Sequence, residues 1–133
     1  MNWVERRDLR DSGGPEFWNL FCIEIQESTL KAFRKSNHAR ERGVTALATR
    51  VNDCLHIVYA RPSTAKPERS IDLCLDASAH RIYSSVDGQE PQVSLSIGLD
   101  AEMKHCLLSS EGVPITLDQA AAIFLENFLF GAA

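Results

Sequence analysis

Apolar residues recur with helical spacing at both ends of this chain and with a period of two in the middle. From Pro15 onward they fall every three or four residues, which is typical of one face of an α-helix. Proline suits the first helical position, because the N–H that it lacks has no partner within the helix there. The stripe consists of Trp18, Phe21, Cys22, Ile25, Thr29 and Ala32. This pattern predicts a helix from Pro15 to about Ala39 that ends before Gly43.

From Val44 the apolar period changes to two, the period of a half-buried strand. Asn52 and Asp53 separate the first two runs, and two turn-forming residues in that position predict a hairpin. The predicted strands are 44–51, 54–60, 70–76, 80–86, 93–99 and 103–109. The connections between successive runs are short, which favours antiparallel pairing because parallel neighbours need long crossovers.

A second helix is predicted at the C-terminal end. Thr116 and Gln119 have the spacing of a capping box, and Gly131 marks the end of the helix. Two helices beside an antiparallel sheet most simply cover one of its faces. We therefore predict a two-layer α+β fold with five or six strands and both helices on one face. Residues 1–14 are predicted to form a flexible leader, and residues 15–133 a single domain.

The composition is that of an ordinary globular chain. Of 133 residues, 44% are hydrophobic and 24% are charged. The formal net charge of -4 disfavours nucleic-acid binding by the surface as a whole. The most apolar run, 120–130, is far shorter than the ~20 residues that cross a bilayer. The first residues contain no apolar signal segment, so we expect a cytoplasmic protein with no membrane association.

The four cysteines are Cys22, Cys54, Cys74 and Cys106, and no Cys-x-x-Cys motif occurs. In a reducing compartment this spacing indicates free thiols. Cys54 and His56 supply one pair of possible metal ligands, but a zinc site usually needs a second pair. The sequence therefore predicts neither a metal nor a cofactor.

The second face of the sheet carries small side chains and few charges. Residues two apart on a strand share a face, so Cys54 and His56 lie on the side opposite Leu55 and Ile57. This face has two interpretations: an ordinary half-exposed surface, or a surface that admits a flat ligand or the sheet of another subunit. The predicted ligand-binding residues are His56, Cys74, Ser94 and Ser96.

The C-terminal helix is apolar around most of its circumference, whereas a helix on a two-layer domain needs one apolar stripe. It is either enclosed between the first helix and the sheet or partly buried by a second subunit. Phe124, Phe128 and Phe130 are therefore predicted interface residues, with a homodimer as the expected assembly.

Three functions follow from these features. The first is a non-enzymatic, self-associating module that binds a small ligand or a protein partner. The second is a small enzyme or a thiol or metal site using Cys54, His56 and Cys74; we found no local catalytic motif, which disfavours an enzyme. The third is an adaptor that binds an acidic partner through Arg34, Lys35, Arg40 and Arg42 at the end of the first helix.

Overall fold

The structure is a computed structural model that describes residues 2–64 and 67–131. Residue 1 of the predicted leader, residues 65–66 and residues 132–133 of the predicted domain lie outside the described residues. The helical elements are α1 (Trp3–Ser12), α2 (Gly14–Glu24), a π-helical turn (Ile25–Thr29), α3 (Leu30–Arg34), α4 (Asn37–Arg42) and α5 (Leu117–Phe130). The strands are β1 (Thr45–Val51), β2 (Cys54–Ala60), β3 (Pro67–Asp76), β4 (Arg81–Val86), β5 (Val93–Leu99), β6 (His105–Leu108) and β7 (Pro114–Ile115).

The strands form one antiparallel sheet in which each strand pairs with the next in sequence, from β1 to β7. The α+β class and the antiparallel pairing are confirmed. The described sheet has seven strands, against the predicted five or six, because two residues before α5 pair with β6. The hairpin between β1 and β2 also agrees with the prediction: Val51 pairs with Cys54, and Asn52 has the positive φ of 56° that such a turn requires.

The helix predicted from Pro15 to about Ala39 is interrupted. Its middle forms the π-helical turn, and it breaks again before α4, where the side chain of Ser36 accepts a hydrogen bond from the backbone N–H of Ala39. Serine favours such a cap because its hydroxyl satisfies an N–H that the new helix leaves free. Gly43 ends α4 in the left-handed conformation, with φ of 63°.

Helix α5 has the predicted capping box: the backbone N–H of Gln119 lies 3.0 Å from the hydroxyl oxygen of Thr116. The helix packs beside α2, where the rings of Phe21 and Phe124 are 5.8 Å apart. Phe124 and Phe128 are each only 4% exposed. Packing within this chain therefore accounts for two of the three predicted interface residues, whereas Phe130 is 47% exposed.

The segment predicted to be a flexible leader differs from that expectation, because α1 occupies most of it. Asn2 caps this helix by accepting a hydrogen bond from the backbone N–H of Glu5. Two histidines, one in β6 and one in the turn before β4, contact its other end. His105 Nε2 lies 2.7 Å from the carbonyl oxygen of Leu9, and His80 Nε2 lies 3.3 Å from Asp11 Oδ1. The sequence did not predict α1, because the helix is highly charged and has no apolar stripe that faces the core.

Helices α2 to α5 and the core cover one side of the sheet, where Leu55, Ile57 and Ile71 are almost fully buried. We call the opposite side of β1 to β5 the open face. It carries Thr49, Val51, Cys54, His56, Val58, Asp72, Cys74, Tyr83, Ser85, Ser94 and Ser96. Within the described part of the chain, no helix is long and apolar enough to cross a membrane.

Candidate functional site

Cys54 and Cys74 face each other across β2 and β3 and form a disulfide, with their Cα atoms 4.1 Å apart. The prediction that all four cysteines are free thiols is therefore wrong for this pair, and Cys74 is not available as a free thiol for a ligand. The two cysteines are separated by 20 residues, a spacing that resembles no motif. Only the pairing of the strands brings them together. Cys22 and Cys106 are free thiols, as expected.

Two positions along the same strands, His56 and Asp72 form the next pair on the open face. His56 Nδ1 lies 2.7 Å from Asp72 Oδ1, and the two side chains are 42% and 33% exposed. An ionised carboxylate only accepts hydrogen bonds, so the proton of this contact is on Nδ1. Nε2 of the neutral ring is then left with a lone pair, which can accept a hydrogen bond or a proton or bind a metal.

The disulfide and the His56–Asp72 pair line a concavity of about 690 Å³ on the open face. Its volume lies in the range of small-molecule sites, which is roughly 300–1,000 Å³. Apolar surface predominates in its lining. The full lining is Val51, Asn52, Cys54, His56, Asp72, Cys74, Tyr83, Ser85 and Pro91.

The four predicted ligand-binding residues all lie on the open face, but the concavity brings only two of them together. His56 and Cys74 line it, whereas Ser94 and Ser96 do not. Tyr83 pairs with both Cys74 and Ser94 and so stands between them. Asp72, Tyr83 and Ser85 were missing from the prediction. Strand alternation places each on this face, but the pairing of β2, β3 and β4 was needed to make them neighbours.

The remaining cysteines have the character of protonated, structural thiols. Burial raises the pKa of the Cys22 thiol to about 11, and the positive charge of Arg50 only partly offsets this effect. The pKa of Cys106 is also raised, by burial first and by the charge of Asp100 second. Both thiols are therefore poor nucleophiles near neutral pH.

The geometry gives less support to two other predictions, a metal site and the binding of an acidic partner by the basic stretch. Among residues 2–64 and 67–131, no group of three or more His, Cys, Asp or Glu side chains is arranged to hold a metal ion in this disulfide-bonded state. In the basic stretch, Arg34 Nη1 donates to the carbonyl oxygen of Ala46, and Arg40 Nη2 donates to Asn37 Oδ1. These two arginines thus make structural hydrogen bonds at the end of the helical layer.

No protein-family model, no curated protein and no solved structure matches this chain. A function must therefore be argued from the residues of the site, since the fold class alone hosts many unrelated functions. The concavity on the open face is the starting point, because it combines a lining of covalently and hydrogen-bonded side chains with a volume suited to a small molecule.

Proposed function

We propose that the chain is a non-enzymatic binding module that takes a small molecule into the concavity of its open face. The observation that carries the proposal is the His56–Asp72 contact of 2.7 Å beside the Cys54–Cys74 disulfide. A covalent bond and a hydrogen bond fix four of the lining side chains before any ligand arrives. Side chains fixed in this way lose little conformational entropy on binding.

The lining favours a flat, mainly apolar molecule with one hydrogen-bond donor. Val51, Pro91, the ring of Tyr83 and the disulfide supply apolar surface, and apolar burial provides most of the affinity of such sites. Since Nδ1–H donates to Asp72, Nε2 of the neutral His56 ring can accept a hydrogen bond from the ligand. His56 thus sets the orientation of the ligand.

Protein-observed NMR with simple probes tests this proposal. Phenol and indole each present an aromatic ring with one donor, and toluene presents a ring without one. We expect phenol and indole to shift the amide signals of Val51, His56, Asp72 and Tyr83 in a saturable manner, and toluene to bind more weakly. Shifts confined to residues outside the open face would overturn the proposal.

Two histidine variants provide a matched comparison. His56→Phe keeps a ring but removes the acceptor at the concavity, whereas His38→Phe makes the same change at a histidine in α4 that packs against Phe33 and Phe130. The preference for phenol over toluene should disappear in His56→Phe and persist in His38→Phe. If both variants kept or lost the preference for phenol equally, the donor group of the ligand would not hydrogen-bond to His56.

Self-association is a second proposal, and the outer side of the helical layer now supports it better than the buried phenylalanines do. Leu20 and Ile23 on α2 are 58% and 54% exposed, and Ile123 on the adjacent α5 is 46% exposed. Residues three apart on a helix share a face, so Leu20 and Ile23 form one apolar patch. We propose that a second copy of the chain covers it.

Analytical ultracentrifugation tests the dimer. Leu20→Lys combined with Ile23→Lys should shift the chain toward the monomer mass. Leu47→Lys is the matched control, because Leu47 is an equally exposed apolar residue, at 57%, but lies on β1. A wild-type chain that is monomeric at high concentration would contradict the proposal.

A cytoplasmic location also remains a proposal, and the disulfide bears on it. Disulfides are rare in reducing compartments, and those found there are usually transient, catalytic or redox-sensing. In the cytoplasm, the Cys54–Cys74 bond would therefore be expected to open and close.

A further inference from the structure

We infer that reduction of the Cys54–Cys74 disulfide converts the concavity into a site for a soft divalent metal ion such as zinc, with Cys54, Cys74 and His56 as the ligands. The inference rests on the proposed function only in placing binding at this concavity. It concerns the reduced chain, whereas the small-molecule site belongs to the oxidised chain.

The positions of the two sulfurs suit one ion. Zn–S bonds of ~2.3 Å in a tetrahedral site place two thiolates about 3.8 Å apart. The Cα atoms of Cys54 and Cys74 are 4.1 Å apart on paired strands, so opening the bond leaves both thiols on the same face and next to each other. Small rotations about the Cα–Cβ bonds can then direct both sulfurs to a common point.

His56 supplies the third ligand from the same strand as Cys54. Two residues along a strand separate their Cα atoms by roughly 6.6 Å, with both side chains on one face. Both line the concavity. The imidazole is long enough to bring its outer nitrogen to an ion that the two sulfurs hold.

The Asp72 contact provides an independent argument for a metal at His56. Histidines that bind metals almost always donate their other ring N–H to a carboxylate, a carbonyl or water, which fixes the tautomer and the ring orientation. His56 Nδ1 already makes this contact with Asp72 Oδ1 at 2.7 Å. Nε2 is therefore the nitrogen with the free lone pair, and it belongs to a ring whose orientation is fixed.

Three protein ligands leave a fourth position, which faces the concavity. In zinc sites, this arrangement is typical of ions that exchange water or bind a further molecule, whereas closed structural sites use four protein ligands. The reduced site would therefore bind an ion that remains accessible to a small donor molecule from solution.

An external thiol can serve as the reductant that opens the Cys54–Cys74 disulfide. Two thiols RSH give RSSR and transfer two electrons and two protons to the Cys54–Cys74 bond, which becomes two free thiols. The ion then displaces these two protons and binds the thiolates. In the oxidised chain the sulfurs bond to each other, which agrees with the lack of a metal-binding group in the described residues.

The test uses zinc alone on the full chain, oxidised or reduced with a phosphine and kept free of oxygen. Competition with a chromophoric zinc indicator gives the affinity and the stoichiometry. We expect one zinc per reduced chain and no competition from the oxidised chain. Cobalt substitution should give the sulfur-to-metal charge-transfer absorption of two thiolates and the visible bands of a tetrahedral site.

Variants separate this site from incidental thiol binding. Asp72→Asn should weaken zinc binding by about 10–100-fold, and His56→Gln by at least as much. Cys22→Ala and Cys106→Ala, which change the two free thiols, should leave the affinity unchanged. Far-UV circular dichroism of each reduced variant verifies that the sheet is intact.

Three outcomes would overturn the inference. The oxidised and reduced chains could bind zinc with equal affinity, or neither His56→Gln nor Asp72→Asn could change the zinc affinity. In the third outcome, only a reduced chain that has lost its sheet binds zinc. None of them affects the binding of phenol by the oxidised chain. The zinc measurements on the reduced chain and the phenol measurements on the oxidised chain therefore test the metal site and the small-molecule site independently.

Discussion

His56 and Asp72 face each other across β2 and β3 with Nδ1 and Oδ1 2.7 Å apart, two paired positions from the disulfide that joins the same strands. A single hydrogen bond thus fixes which nitrogen of His56 carries the proton and which presents a lone pair to the concavity. The proposals for this site depend on that assignment, because both use Nε2 as the free nitrogen.

The tautomer of His56 can be measured directly. Long-range ¹H–¹⁵N correlation spectra of the neutral ring should show the Nδ1–H form as the main species. In Asp72→Asn the Nε2–H form should increase strongly, because the asparagine amide can donate to Nδ1. His38 is the internal control, since its ring packs on Phe33 and Phe130, far along the chain from Asp72. A main Nε2–H form in the wild type would contradict the assignment.

The disulfide should contribute substantially to stability. Its cysteines are 20 residues apart, and constraining a loop of this length in the unfolded chain stabilises the fold by about 3 kcal/mol in the chain-entropy model. Urea unfolding of Cys54→Ala with Cys74→Ala should therefore show a loss of this size. Adding a reductant should destabilise the wild type but not the double variant. Cys106→Ala is the control and should lose almost no stability. An unchanged urea midpoint in the double variant would argue against the disulfide.

Substitutions of Phe128 and Phe130, two phenylalanines near the end of α5, should differ in cost. Phe128 is 4% exposed and packs against Tyr59, with ring centres 6.1 Å apart, whereas Phe130 is 47% exposed. Phe128→Ala should destabilise the fold by about 3–5 kcal/mol, the usual cost of deleting a buried phenylalanine. Phe130→Ala should cost clearly less. Equal losses, measured by chemical denaturation, would mean that Phe130 is buried by something other than this chain.

The Cys22 thiol should make stability depend on alkaline pH. Burial raises its pKa from 9.0 to about 11, so the unfolded chain loses this proton at a lower pH than the folded chain does. The stabilisation is complete below about pH 9 and is lost as the pH rises toward 11, by roughly 1–2 kcal/mol. Relative to Cys22→Ala, the unfolding free energy of the wild type should decrease over this interval. If the unfolding free energies of the wild type and Cys22→Ala changed in parallel with pH, the thiol would not contribute to stability in this way.

Much of the fold could be predicted from local patterns. Strand alternation placed Cys54 and His56 on the face opposite Leu55 and Ile57, and the buried residues confirm it. The two-residue turn at Asn52 fixed the pairing of β1 with β2. The capping box at Thr116 fixed the start of α5. Each of these signals lies within a few neighbouring residues, where the physical cause acts locally.

The elements that escaped prediction depend on distant partners. The pairing of Cys54 with Cys74 requires the alignment of β2 with β3 across a longer connection, whose length does not determine that alignment. His56 and Asp72, 16 residues apart, were missed as a pair for the same reason. Helix α1 was missed because its contacts come from far along the chain, from His80 in the turn before β4 and His105 in β6.

The central claim, that the concavity of the open face binds small molecules, is tested most directly by intermolecular nuclear Overhauser effects between phenol and the oxidised chain. We predict contacts from the ring protons of phenol to the methyl groups of Val51 and to the ring of Tyr83, and weaker contacts in His56→Phe, where phenol should bind no better than toluene. Contacts instead to Leu20, Ile123 or Leu125 in the helical layer would contradict the claim.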